Sequence, residues 1–463
     1  MPRVDGAKKG SSMKVNRIDL YLVSIPLSGH EEGVLSRRKV FRPNWIPGFH
    51  QQDLKFYLLK LGTDSGHEGF SAMPAMSTER SGLGALLGSY LLGINPMDTR
   101  LVNQRIEEFN YIGMRNGWVE AAFWDLIGKA RNEPLHKLLG GQGGRVRPYA
   151  SLGSNHGHDP KQVAALVRAR RDEGYDGVKI RVKSGDFDRM VEVVAAARDA
   201  LGPDKQLMID ANLGWPVEIV EPSPRWDESF AIRFAQEIER YHVAWLEEPL
   251  HRMSFESLAR LRKSTRTPIA GGEVNSSWRD FCTMLELGSL DVYQPDAILC
   301  GGTIAGGVST VYWLQREIAK RNAMRPAHER SVRYTPHTWT NGLGFALNLQ
   351  LFGLVAPQER GLLELPYDVE WEMHQWAPFI KGGFPRDKDG TIAIPEGPGL
   401  GVELDWHVLE RFGRRLYHGS RATIAARALA DYGVHEALYL KEKKEALAEW
   451  SAGVEFALPE PPF

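Results

Sequence analysis

The chain has 463 residues, of which 57 are Lys or Arg and 58 are Asp or Glu, so its formal net charge is −1 with neutral histidines. This balance gives no electrostatic attraction for nucleic acid or an anionic membrane surface, and no run of about 18 apolar residues predicts a membrane span. Two cysteines are too few for a disulfide framework or a thiolate metal site, and they fit a reducing cytoplasm. The length predicts two domains, one with room for a large barrel.

The first part of the chain is expected to form a flexible tail (1–12) and an α+β domain (13–144). Alternating apolar residues predict strands and then helices: strands near 14–24, 54–63 and 67–73, and helices within 97–140. The polar segment 27–52 lacks periodicity and is predicted to be a long loop or flap. The glycine-rich run 82–88 lacks the preceding strand and the spacing of a dinucleotide-binding loop, so we do not expect such a site.

From residue 145 onward, short apolar runs alternate with amphipathic helical segments, which is typical of a (β/α)8 barrel. The predicted strands are 147–153, 176–182, 206–212, 243–249, 267–273, 290–296, 332–337 and 362–367. The fold class is therefore α/β, with a TIM-type barrel at 145–370 and an α+β capping domain. The remaining segment, 371–463, is irregular and then helical, and we expect it to pack back on the capping domain.

Acidic residues stand at the ends of three successive predicted strands, at Asp210, Glu247 and Glu273. Barrel strands end at one common face, with neighbours roughly 5 Å apart, so these side chains can converge. Each acid alone is compatible with a cap or an ion pair, but together they would repel one another unless a hard cation such as Mg2+ bound them. By alternation Glu248 points away from Glu247, and we expect a structural salt bridge for it.

Cationic residues of the second strand, Lys179, Arg181 and Lys183, share one side of that strand by alternation. The outer side of a barrel strand packs on helices, where a charge is costly to bury. We therefore expect these side chains to point inward, toward the acids, although a ladder of surface charges is the alternative.

The last three strands end in a histidine and two acids. His337 ends the seventh strand and Asp296 the sixth, and an Asp beside a His fixes its tautomer and raises its basicity. Glu364, in the eighth strand, would hydrogen-bond a substrate oxygen or cap the strand. A cation would chelate the carboxylate of the substrate, and the base beside it would remove the α-proton. This arrangement predicts a reaction that passes through an enediolate.

In this order, these segments resemble the enolase superfamily, specifically its mandelate racemase-like branch. The resemblance runs from Met13 to about Leu409 and is most specific in EAAFWDLIGKARNEPLHKLLGG, GYDGVKIRV, MIDAN, WLEEP, IAGGE, QPD, TPHTW and PEGPGLGVEL. It implies a modified (β/α)8 barrel under a capping domain that C-terminal residues complete. It also implies the following site: Mg2+ on Asp210, Glu247 and Glu273, a Lys-x-Lys-type pair at Lys179 and Arg181, a His337–Asp296 dyad, and Glu364 as the eighth-strand acid.

Arg181 departs from this pattern, in which the second residue of the pair can act as a base. A guanidinium stays protonated at ordinary pH, and Lys183 lies about 6–7 Å farther along the strand. One histidine can still remove the α-proton and then protonate a departing β-hydroxyl. We therefore predict a carbon–oxygen lyase that dehydrates an aldonic or aldaric acid to a 2-keto-3-deoxy acid, ahead of a racemase or epimerase and of a lactonising cycloisomerase. A non-catalytic acid-binding protein is the non-enzymatic alternative.

The partner is predicted to be a small carboxylate, a sugar acid, and neither nucleic acid nor a membrane. Asn212 and Trp339 are candidates for the pocket wall, as are Arg42 and His50 in the flap, where solvated loop charges are the alternative. We also expect a homo-oligomer located in the cytoplasm.

Overall fold

The computed structural model describes residues 13–27, 52–111, 115–153, 159–220, 222–302, 305–367 and 377–453, with side chains as far as 447. The predicted tail and most of the predicted flap, including Arg42 and His50, lie outside the described residues. The described part contains a small antiparallel sheet with its own helices, and a larger sheet of parallel strands.

The small sheet is antiparallel and belongs to the predicted capping domain. Its first strands, β1 (Val15–Pro26), β2 (Asp53–Thr63) and β3 (Glu68–Pro74), form a meander in the predicted order. Four helices follow: α1 (Leu83–Leu91), α2 (Thr99–Asn110), α3 (Val119–Arg131) and α4 (Leu135–Leu138). Helix α3 packs on β3 and is buried on every side from Val119 to Gly128, because it lies between the sheet and the barrel.

Helix α1 contains the glycine-rich run, which the sequence did not assign to any element. A Cβ atom on Gly84 or Gly88 would collide with the side chain of Tyr417. The glycines therefore let a C-terminal strand lie close against this helix, which is a packing role.

The large sheet contains, within the described residues, eight parallel strands in the order β11-β10-β9-β8-β7-β6-β5-β12. The strands are β5 (Pro148–Leu152), β6 (Gly177–Arg181), β7 (Gln206–Asp210), β8 (Trp245–Glu247), β9 (Ile269–Gly271), β10 (Val292–Tyr293), β11 (Arg333–Tyr334) and β12 (Leu363–Tyr367). Each lies inside one of the predicted strands. The first and eighth strands are paired, and Thr335 Oγ1 donates to the Leu362 carbonyl at 2.8 Å across the seventh and eighth. This curled sheet confirms the modified barrel with a separate capping sheet.

Helices cover the outside of the barrel sheet between successive strands. They are α5 (Pro160–Asp172), α6 (Phe187–Leu201), α7 (Glu228–Glu237) with a 3-10 turn (Ile238–Tyr241), α8 (Phe255–Ser264), α9 (Trp278–Leu287), α10 (Gly307–Met324) and α11 (Gly342–Phe352). Several begin at side-chain caps. The Asp186 carboxylate, for example, accepts the Arg189 N–H at the start of α6, which satisfies a backbone donor that the helix itself cannot.

The C-terminal segment returns to the capping domain. Strand β13 (Ile392–Ala393) pairs with β4 (Arg145–Val146), and helix α12 (Trp406–Phe412) leads into β14 (Gly413–Ser420). Strand β14 then pairs antiparallel with β1 and so forms one edge of the capping sheet. Helix α13 (Arg421–Gly453) follows and is broken at Gly433, whose φ is 81°.

The junction between the capping domain and the barrel contains a buried acid, Glu120 of α3, which is 1% exposed. Its carboxylate accepts the Ser309 N–H at 2.9 Å near the start of α10, and also the Ser309 hydroxyl. Trp124 Nε1 and Asn103 Nδ2 donate to it at 3.1 Å and 3.3 Å. Burial raises the pKa of Glu120 in spite of these donors, which satisfy its oxygens and connect the two domains.

Cys282 and Cys300 are buried free thiols. Burial is the first cause of the raised pKa of both thiols.

No helix in the described part of the chain has both the length and the apolar character needed to cross a membrane.

Candidate active site

The carboxyl ends of β7 and β8 bring two of the predicted metal ligands side by side. Asp210 and Glu247 are the last residues of these strands, they are directly paired in the sheet register, and they are 0% and 1% exposed. Glu273 follows β9 and is 7% exposed. Trp245 Nε1 and Gln294 Nε2 donate to Glu247 Oε2 at 3.0 Å and 2.9 Å, which orients this carboxylate.

Lys179 lies inside the barrel, among the acids, and is 0% exposed. Its Nζ is 2.7 Å from Glu247 Oε1, 2.8 Å from Glu364 Oε1 and 3.6 Å from Asp210 Oδ2. Burial lowers the pKa of Lys179, but the charges of Glu247 and Glu364 outweigh burial and hold it well above its usual range. Lys179 is therefore a fixed cation among these acids.

Arg181 also points inward and is held on several sides. Its Nη1 donates to Asp210 Oδ2 and to Asn212 Oδ1, both at 2.6 Å, and its Nε donates to the Leu152 carbonyl at 3.0 Å. Its guanidinium carbon is 5.3 Å from the ring centroid of Trp339, a cation–π distance. Burial lowers the pKa of Arg181, but the charges of Asp210, Glu364 and the other acids together outweigh burial and raise the pKa, which rules out a role for Arg181 as a base.

Asn212 and Trp339, which the sequence predicts as pocket wall, thus contact Arg181 itself. Asn212 has a φ of 49°, in the left-handed region that Asn tolerates better than most residues. Its N–H donates to Asp210 Oδ1 at 2.8 Å, so one residue positions both members of the ion pair.

The eighth-strand acid, Glu364, is fully buried and fully hydrogen-bonded. Ser151 Oγ donates to its Oε1 at 2.8 Å, and the Thr338 N–H donates to its Oε2 at 2.9 Å. Burial raises the pKa of Glu364, but the charges of Lys179 and His337, with the hydrogen bonds to the carboxylate, together outweigh burial and lower the pKa to about 2. The nearby Asp210 shifts the other way, because burial and then Glu247 raise its pKa to about 7.

His337 and Asp296 form the pair that the sequence predicts. His337 Nδ1 lies 3.0 Å from Asp296 Oδ2, and the other oxygen of Asp296 accepts the Ile298 N–H at 2.8 Å and Asn348 Nδ2 at 2.9 Å. His337 Nε2 faces Glu273 Oε2 at 3.4 Å. Burial lowers the pKa of His337, but Glu273 and then the hydrogen bond to Asp296 outweigh it and raise the pKa to about 9.

Sequence reasoning missed four residues whose side chains orient this site: Ser151, Trp245, Gln294 and Asn348. Asn348 had a signal, because it is a polar side chain within the apolar helix α11, where only a buried partner would favour it. Ser151 and Gln294 also lie on predicted strands, but nothing in the pattern shows which acid each would contact.

Glu248 contradicts the expected structural salt bridge. It is 3% exposed, and among the described residues neither of its carboxylate oxygens has a hydrogen-bond partner. Its φ of 46° departs from strand geometry, so simple alternation does not fix its direction. Burial, followed by the charges of Glu273 and Asp210, raises the pKa of Glu248 well above its usual range. The charges of the acidic cluster therefore act on Glu248.

The residues present fit a hard divalent cation in charge and in donor chemistry. The acids of the described cluster are Asp210, Glu247, Glu248, Glu273, Asp296 and Glu364, and the groups that contact them as cations are Lys179, Arg181 and, when protonated, His337. The acids exceed the cations, and carboxylate oxygens are the donors that Mg2+ prefers. Within the described ranges, however, no three His, Cys, Asp or Glu side chains are already arranged around one metal position. Lys179 and Arg181 instead neutralise Asp210 and Glu247, so the ligand set remains a prediction.

Comparison with known proteins supports the fold and the family. A family model described as "Enolase C-terminal domain-like" matches residues 162–310 and 317–408, and the chain belongs to this family. This confirms the predicted membership of the enolase superfamily, within which mandelate racemase-like structures are neighbours.

Among relatives, a D-galactarolactone cycloisomerase of Agrobacterium fabrum is 28% identical over 77% of this chain and 90% of its own length. An L-talarate/galactarate dehydratase of Salmonella typhimurium is 33% identical over 40% of this chain and 44% of its own. A crystal structure of L-talarate dehydratase from Polaromonas, complexed with Mg and L-glucarate, has a TM-score of 0.67 at 22% identity and covers 89% of this chain and all of that one. Relatives named D-gluconate dehydratase and D-galactonate dehydratase also match. Dehydratases are lyases, and these relatives confirm the predicted enzyme class.

Proposed function

We propose that this chain is a Mg2+-dependent enzyme that removes the proton α to the carboxylate of an aldonic or aldaric acid and dehydrates it to a 2-keto-3-deoxy acid. The observation that carries this proposal is the oriented His337–Asp296 pair, whose second ring nitrogen, Nε2, faces Glu273 at 3.4 Å beside the acidic cluster. Relatives named as dehydratases of sugar acids support the choice of substrate class.

Asp210, Glu247 and Glu273 would hold the cation, which would supply a Lewis acid for the substrate carboxylate and for the charge of the enediolate. In the structure Lys179 contacts Glu247 Oε1 and Arg181 contacts Asp210 Oδ2. We infer that these two side chains turn from the acids to the substrate carboxylate in the working enzyme. Both would stay protonated, so each acts by charge and hydrogen bonding.

His337 would be the base and then the acid. Asp296 accepts the Nδ1 proton, and Asn348 and the Ile298 N–H hold Asp296 in place. Nε2 takes the α-proton in its deprotonated form, which a cation on Glu273 would favour by cancelling the charge that raises the His337 pKa. The protonated Nε2 then donates to the departing β-hydroxyl, which leaves as water while the enediolate electrons form the enol of the 2-keto acid. One base suffices for this sequence, and Arg181 cannot supply a second.

The test is an incubation of the purified protein with a panel of aldonic and aldaric acids and Mg2+, with semicarbazide detection of 2-keto products. We expect turnover of at least one member and its loss in a His337→Asn variant. If no member of the panel is turned over while the protein binds Mg2+, the dehydratase proposal fails.

A second candidate is a cycloisomerase, because the relative of that name aligns over 77% of this chain. An isomerisation leaves the molecular mass of the substrate unchanged, whereas a dehydration releases one water. Mass spectrometry of the product therefore separates the two, and incorporation of solvent deuterium at the α-carbon without any other change would indicate a racemase or epimerase. The homo-oligomer and the cytoplasmic location remain predictions.

A further inference from the structure

Glu248 is a buried acid to which the proposed reaction gives no role. It follows β8 directly, it is 3% exposed, and within the described chain both its oxygens lack a hydrogen-bond partner. A buried carboxylate without a donor is costly, and native proteins rarely keep one unless a ligand completes it. The other buried acids of this cluster each have a cation or a donor.

The local backbone is built around this carboxylate. Glu248 has a φ of 46°, which is unusual for a residue other than Gly, Asn or Asp. The Glu248 N–H donates to the Ala270 carbonyl at 3.0 Å, and its own carbonyl accepts the Leu213 N–H at 3.0 Å, so neighbouring strands on both sides hold this conformation. A Cβ atom on Gly214 would collide with the Glu248 carboxylate, so the glycine leaves the room that the carboxylate occupies.

The surroundings identify what would complete Glu248. Glu248 directly follows the predicted ligand Glu247, its N–H bonds the carbonyl of Ala270, three residues before Glu273, and its carboxylate lies against Gly214, four residues after Asp210. The charges of these three acids act on Glu248, and Lys179 is the weaker opposing charge. A neutral donor would satisfy the hydrogen bonding of Glu248 but would not balance the excess negative charge of the cluster. A divalent cation with its bound water would do both.

We propose that Glu248 is a fourth carboxylate of the cation site, which supplies charge and hydrogen-bond acceptors to a bound divalent cation and its water. This inference rests on the proposed function, since it assumes that Asp210, Glu247 and Glu273 bind a cation. Replacement of Glu248 by Gln weakens cation binding without weakening the fold, because the carboxylate has no hydrogen-bond partner to lose within the described protein.

The experiment measures Mn2+ binding by electron paramagnetic resonance of the free ion, together with the unfolding temperature of the metal-free protein. For Glu248→Gln we expect Mn2+ affinity to fall by about tenfold or more, while the unfolding temperature stays equal or rises. For Glu120→Gln, a buried acid whose oxygens already have donors, we expect the reverse: a lower unfolding temperature and unchanged Mn2+ affinity.

A second variant, Gly214→Ala, keeps the charge but displaces the carboxylate, and it is expected to weaken Mn2+ binding as well. The inference is overturned if Glu248→Gln binds Mn2+ within about twofold of the wild type, or if its affinity and unfolding temperature fall together as in a structural defect. If the wild-type protein itself does not bind Mn2+, the proposed function fails first.

Discussion

Two buried acids in this molecule show opposite ways of keeping a carboxylate out of water. At the domain junction, Glu120 accepts hydrogen bonds from Ser309, Trp124 and Asn103, so its environment is complete within the protein. At the strand ends, Glu248 has no donor in the described chain, and Asp210 and Glu247 rely on Lys179 and Arg181. The first arrangement holds two domains together, whereas the second leaves charge for a ligand to neutralise. The difference indicates how structural and functional buried acids can be told apart.

The largest expected effect concerns His337. Replacement by Asn keeps the approximate shape but removes the base, and we expect kcat to fall about 10²–10⁴-fold, the usual contribution of a positioned acid–base group. Steady-state kinetics on the substrate identified by the panel measures this. The control is His407→Asn, an exposed histidine of α12, which should keep full activity. A His337→Asn enzyme with near-normal kcat would show that another group is the base.

The next effect concerns the ion pair at Lys179. Glu247→Gln removes the nearest carboxylate at 2.7 Å and leaves the buried ammonium with Glu364 at 2.8 Å. We expect a loss of unfolding free energy below the roughly 3–5 kcal/mol that an unpaired buried charge costs. Chemical denaturation of the metal-free protein measures the loss. The exposed Glu218, paired with Arg225, offers the matched comparison: Glu218→Gln should change stability little. Equal losses in the two variants would contradict the view that the strand-end charges are tightly coupled.

A smaller effect is expected at Asn348, which acts through Asp296. Asn348→Leu removes one hydrogen-bond donor from the buried Asp296 carboxylate. If the free energy that orients the His337–Asp296 pair falls by about 1–3 kcal/mol, kcat is expected to fall roughly five- to a hundredfold. A purely structural role would lower stability without moving the pH profile. We therefore expect a shifted pH dependence of kcat, and an unchanged profile would limit Asn348 to packing.

The pH dependence of the metal-free protein sharpens the same comparison. Asp210 and His337 have folded-state pKa values near 7 and 9, above their ordinary values of 3.8 and 6.5, so each binds its proton more tightly when folded. Their contribution to the free energy of unfolding is complete below the ordinary pKa. It is lost as the pH rises through the folded-state pKa. The unfolding temperature should therefore fall from about pH 4 to pH 9, and His337→Asn should flatten the upper part of that range. A wild-type curve that rises over this range would contradict the assignment.

Much of this fold could be predicted from sequence because each element carries a local pattern. The strands of the barrel are short apolar runs, and a carboxylate after such a run lies at the common face by geometry alone. Strand β14 was missed because it is polar and pairs with β1 from the far end of the chain. Glu248 was misassigned because its positive φ breaks the alternation on which the expectation depended.

The contacts between site residues were less predictable than their positions. Sequence places Lys179 and Arg181 beside the acids but cannot show which oxygens of Glu247 and Asp210 they contact, because this depends on distances of a few ångströms. Asn212 and Trp339 were expected to face the substrate, and in the structure they contact Arg181. Arg42 and His50 lie outside the described residues, so their predicted role is untested.

The central claim is that the strand-end acids gather one divalent cation beside His337. Anomalous diffraction from crystals soaked in Mn2+ tests it most directly. The account predicts a single strong peak among Asp210, Glu247 and Glu273, with Lys179 Nζ displaced from its 2.7 Å contact with Glu247. A protein without such a peak, with Lys179 still paired to Glu247 at saturating Mn2+, would contradict it.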